Sequence, residues 1–122
     1  MQNLDQIRAA KANQLCRRNA FTRNDVAGFP AMIINNGLLS ACAYALEPGR
    51  DSRAGLAHAV HGMAVHMANE ALGIAILAGV PNGETLIQKL SERGSSVDLQ
   101  RATVEALEFF GYLKRFANPS TQ

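Results

Sequence analysis

Residues 97–117 carry the pattern that most restricts what the chain can fold into. Leu99, Ala102, Thr103, Ala106, Leu107, Phe109, Phe110, Leu113, Phe116 and Ala117 fill about half the circumference of an α-helix. Arg101, Glu105, Glu108, Tyr112 and Arg115 stand opposite them. Ser95 or Ser96 offers an N-cap, Ser95 and Asp98 approximate a capping box, and Asn118-Pro119 stops the helix. Burying Phe109, Phe110, Leu113 and Phe116 contributes about 1.5–3 kcal/mol each, so this helix is expected to be integral to the core.

The rest of the chain supplies partners of the same kind. Leu4, Ile7, Lys11, Leu15 and Arg18 recur at helical spacing without Gly or Pro, which predicts a helix over about residues 4–19. Residues 33–39, Ile-Ile-Asn-Asn-Gly-Leu-Leu, imitate two strands joined by an Asn-Gly turn. The flanks do not alternate, however, and Ala41, Ala43 and Ala45 are poor strand formers. With Pro30 in a first turn, a helix from Asp25 or Phe29 to Leu46 is favoured, ended by Glu47-Pro48-Gly49. Asp51 or Ser52 then caps a helix expected to reach Leu77, unless Gly55, Gly62 or Gly73 bends or breaks it. A short helix over residues 84–92 completes the set. The expected fold is all-α, a compact bundle of about five helices in one domain spanning residues 1–122. Twenty Ala, no Trp and 48% hydrophobic residues suit helices that approach closely through small side chains.

The longest apolar stretch, residues 71–80, is about half of what a membrane-spanning helix needs, so no span is expected. Cys16 and Cys42 lack CxxC spacing and no secretory signal is recognisable, which fits a reduced, cytoplasmic compartment. His58, His61 and His66 with Glu70 form the one cluster that hints at a metal or an acid–base centre. Its spacing argues against either, because His61 and His66 point about 140° apart on a straight helix. His66 and Glu70 suit an ordinary surface pair at i and i+4. The cysteines lie in helix interiors, no Ser sits in a GxSxG turn, and 79–83 lacks the Lys-Ser/Thr of a phosphate loop. Glu105 and Glu108 read as solvated surface charge. Neither a catalytic residue, a metal nor a cofactor is expected.

The net charge of +2 is too small to identify a nucleic-acid partner by itself. Nine of the twelve basic residues are Arg, which suits bidentate phosphate contacts and equally reflects a GC-rich genome. Arg8, Lys11 and Arg18 project within a sector of about 80° that overlaps Leu4 and Leu15. They either lay their stems over the edge of the core or form a basic ridge facing a partner. Arg101, Tyr112 and Arg115 share the polar face of the last helix. Lys114 and Arg115 are favoured at a helix C-terminus whether or not anything binds there.

Three blocks of sequence resemble the small helical subunit of the type III-B (Cmr) CRISPR effector complex. They are residues 29–38, FPAMIINNGL, followed by Ala43-Tyr44-Ala45-Leu46; residues 102–117, ATVEALEFFGYLKRFA; and, more weakly, residues 5–12, DQIRAAKA. The resemblance implies a non-catalytic, all-helical subunit that stacks with copies of itself as a minor filament. It also implies partners among the other Cmr subunits, especially the backbone subunits, and contact with guide RNA and target RNA. It resolves 35–37 in favour of helix. Arg8, Lys11, Lys114 and Arg115 match basic positions of the opening and closing blocks, and helical geometry adds Arg18 and Arg101 as candidates for facing RNA. The middle, residues 51–80, departs from the family in its Gly, Ala and His, and no role is carried onto it. The alternative is a stand-alone helical adaptor that binds a protein and no nucleic acid.

Overall fold

The computed structural model describes residues 3–119, and its first helix starts where the sequence provides a cap. Asn3 Oδ1 accepts the Gln6 N–H at 2.8 Å while Gln6 Oε1 accepts the Asn3 N–H at 2.9 Å, closing a capping box at the head of α1 (Leu4–Arg17). The helix stops two residues short of the expected end because Asn19 turns left-handed, at φ 57°. The segment expected as one helix to Leu46 is three: α2 (Arg23–Ala27), α3 (Phe29–Asn36) and α4 (Leu38–Ala45). Pro30 sits in the first turn of α3, as expected. Gly37, at φ 89°, ends α3 and opens α4, so Asn-Gly marks a corner between two helices and not a hairpin.

A 3₁₀ turn (Asp51–Arg53) leads into α5 (Ala54–Met67), which buries Leu56, Val60, Met63 and Met67. This helix ends ten residues before Leu77. The Asn69 side chain accepts the Ala71 N–H at 2.9 Å, starting a 3₁₀ turn (Glu70–Leu72) that Gly73 closes at φ 73°. A second turn (Ala75–Leu77) follows, then α6 (Gly83–Glu92), capped by Asn82. The last helix, α7 (Ser96–Phe116), has Ser95 as its N-cap and the Ser95–Asp98 capping box in place. No strand forms among the described residues; a single bridge joins Thr22 to Asn118.

Helix α7 packs against α1 most extensively and also against α2, α3, α4 and α5. Phe109, Phe110 and Leu113 are fully buried, with Phe110 against Phe29 at 4.7 Å between ring centroids. Phe116 departs from its expected place: it is 40% exposed and lies beside Tyr112 in the last turn of the helix. Arg23 ties that end down, donating Nε to the Lys114 carbonyl at 3.0 Å and Nη2 to the Ala117 carbonyl at 3.2 Å. Close approach of α1 to α5 depends on Gly62, since a Cβ there would lie 2.4 Å from Leu15 Cδ1. Both cysteines are buried thiols, and burial pushes Cys42 up to about 12.

Candidate nucleic-acid interface

The basic residues of α1 divide into two groups with different surroundings. Arg8 turns inward onto α7. Its Nε and Nη2 donate to Glu105 Oε2 and Oε1, both at 2.8 Å, in a bidentate pair. His66 reaches the same carboxylate from α5, with Nε2 2.8 Å from Oε2, and its ring stacks on Phe109 at 4.3 Å. Glu105 is therefore not solvated surface charge, and His66 pairs with it rather than with Glu70, which is exposed. Burial pushes the Glu105 carboxyl up, but hydrogen bonds from His66 and Arg8 and the Arg8 charge outweigh it and hold the group below the usual carboxylate range. The Arg8 guanidinium is raised in turn by its bond to Glu105.

Lys11 and Arg18 face a groove between α1 and α5. One half, about 510 Å³, is lined by Ile7, Ala10, Lys11, Gln14, Arg17, Val65, His66 and Asn69. The other, about 260 Å³, is lined by Lys11, Leu15, Arg18, His58, His61, Gly62 and Val65. Lys11 and Val65 belong to both, so the halves form one continuous depression. No Asp or Glu lines either half, and among the described residues no carboxylate pairs with Lys11, Arg17 or Arg18. Burial, and then the charge of Arg18, lower the Lys11 ammonium from its usual value. Like charges gathered without a counter-ion on a partly buried surface favour an anion there.

The other candidates lie elsewhere. Arg8 and Arg101 border a second groove, about 310 Å³, with Leu4, Leu72, Ile74 and Val104, and Arg101 Nη2 donates to the Leu72 carbonyl at 3.3 Å. Lys114 and Arg115 are exposed near the end of α7 and line neither groove. Arg17 was missed by the helical projection. The adjacent pair Arg17-Arg18 at the C-terminal turn of a helix was its only signal. His58 and His61, given no role from the sequence, border the groove, and no group of three or more His, Cys, Asp or Glu able to hold a metal exists among the described residues. No helix there is long and apolar enough to cross a membrane.

The depression offers cations, amide donors and an apolar floor. It is suited to holding a polyanion. No curated protein and no solved structure matches the chain. The family model described as CRISPR-associated protein (Cas_Cmr5) matches residues 4–119. That span takes in α1 through α7, both sides of the groove and the buried Arg8–Glu105–His66 cluster. The chain belongs to the Cas_Cmr5 family, the small subunit of type III-B CRISPR complexes.

Proposed function

We propose that the chain is a non-catalytic subunit that helps form the minor filament of the effector complex and contacts the guide and target RNA. The α1/α5 groove is the contact surface, with Lys11, Arg17 and Arg18 as its phosphate-facing residues. The observation that supports this reading is the gathering of these three cations on one surface without a carboxylate partner. Arg101, Lys114 and Arg115 are secondary contacts, added by helical geometry and family resemblance. Arg8 acts through the fold, since its guanidinium is committed to Glu105.

With a net charge of +2, one copy binds weakly, and several copies on one RNA act together. The test is reversal of Lys11, Arg17 and Arg18 to Glu in the assembled complex, leaving Arg8 untouched because its reversal breaks an internal ion pair. Target-RNA capture is expected to weaken while the chain still folds and co-purifies with the complex. Unchanged capture across several salt concentrations rejects the groove. Co-purification of the native chain without guide RNA or other Cmr subunits would instead support a stand-alone adaptor.

A further inference from the structure

We propose that the α1/α5 groove seats a single unpaired ribonucleotide, its base in the larger half and its phosphate in the smaller. This rests on the RNA-contacting reading above and specifies which form of RNA the groove takes.

The two halves differ in chemistry. The larger, about 510 Å³, lies within the roughly 300–1,000 Å³ of small-molecule clefts and has an apolar floor of Ile7, Ala10 and Val65. Val65 is 41% exposed, an apolar side chain left open to solvent at the junction of the two halves. A duplex presents sugar and phosphate on its outside and keeps its bases stacked within, so it leaves such a floor uncovered. An unstacked base covers it.

Gln14 and Asn69 present donors beside the floor. Gln14 Oε1 accepts from Lys11 Nζ at 3.2 Å, which leaves the Gln14 amide NH₂ free to donate. Asn69 Oδ1 is taken by the Ala71 N–H, which leaves its NH₂ likewise. Two amide donors beside an apolar floor suit the acceptor edge of a base, the carbonyl oxygens of uracil or the O6/N7 edge of guanine. In the smaller half, His61 Nδ1 accepts the Gly83 N–H at 3.0 Å. The neutral ring therefore carries its proton on Nε2, a further donor beside Lys11 and Arg18. Glu84 lies 3.7 Å from His61 Nδ1 and does not line the groove. Together they form a phosphate seat next to a base seat, with Lys11 and Val65 common to both.

The full chain, labelled with nitrogen-15 throughout and at the methyls of Ile, Val and Ala, tests this by NMR titration at low salt. The probes are a six-nucleotide oligouridylate, a blunt RNA duplex and inorganic phosphate. The single strand is expected to shift the Val65, Ile7 and Ala10 methyls together with Lys11 and Arg18, whereas duplex and phosphate shift the cations alone. Ala10→Leu fills the floor from an exposed helix position and is expected to weaken single-strand binding about fivefold, the scale of one lost base contact, with duplex binding unchanged. Equal single-strand and duplex binding with Val65 unmoved overturns the nucleotide seat and leaves the RNA reading standing. An Ala10→Leu chain that stays folded and binds single strands as before overturns the seat as well. If neither RNA shifts any residue of α1, the seat falls, and the RNA reading is decided separately by capture in the assembled complex.

Discussion

Arg8 and Lys11 lie three positions apart on one helix and have opposite fates. Arg8 is held by two hydrogen bonds to a buried carboxylate that also binds His66. Among the described residues Lys11 has no carboxylate partner, and it lies beside Arg18, whose charge it feels. The first arrangement fastens α1 to α7 and α5. The second gathers charge without a carboxylate partner at the surface, where the proposed RNA phosphates would complete it. Whether a basic residue on this helix is paired inside the fold or left without a carboxylate depends on which neighbouring helix it meets.

The comparison is broken most forcefully at Glu105. Glu105→Ala removes the partner of both Arg8 and His66, and is expected to lower the unfolding free energy by about 3 kcal/mol, the scale for breaking a buried pair from one side. Arg8→Met with Glu105→Leu removes both charges and should restore much of that loss in denaturant titrations. Next in size is the close approach of α1 to α5 at Gly62. Gly62→Ala drives a Cβ into the buried Leu15 side chain; overpacking of about 1–3 kcal/mol, offset by about 1 kcal/mol of helix propensity, should leave a net loss of about 1 kcal/mol, read as a lowered melting temperature.

A third effect separates the two regions by pH. Because the folded Glu105 carboxyl is held below its unfolded value of about 4.3, the unfolded chain takes up this proton first as pH falls. Stability from Glu105 is present above that value and is lost as pH drops through the folded one. The melting temperature measured between neutral pH and pH 3 should fall less steeply in Glu105→Gln. The smallest effect belongs to the groove. Lys11→Gln with Arg18→Gln should change the unfolding free energy by no more than about 0.5 kcal/mol, since neither side chain holds another element.

Helix α7 was legible because its pattern, its Ser95–Asp98 cap and its stop lie within one stretch of chain. Glu105 was misread because a helical projection shows which residues share a face and not what packs there. Its partners come from 97 and 39 residues away. The corner at Gly37 had a local signal, Asn-Gly, that the favoured continuous helix set aside. The end of α5 at Met67 was marked by Asn69, two residues on, and by Gly73, where a break had been allowed for and a left-handed residue closes the following turn. Lys11 was chosen through the family resemblance and Arg18 from spacing on α1, and their place on one groove follows from the crossing of α5. Arg17 and the histidines of α5 joined them only once that crossing was known.

The separation of fastening from binding charges is tested most directly by the salt dependence of target-RNA capture by the assembled complex. Chains carrying Lys11→Gln, Arg17→Gln and Arg18→Gln are compared with the unaltered chain. The slope of log affinity against log salt is expected to become shallower by about 0.7 for each lost single-strand phosphate contact, with the melting temperature of the chain unchanged. Superimposable slopes for the two complexes would contradict the assignment of these cations to RNA.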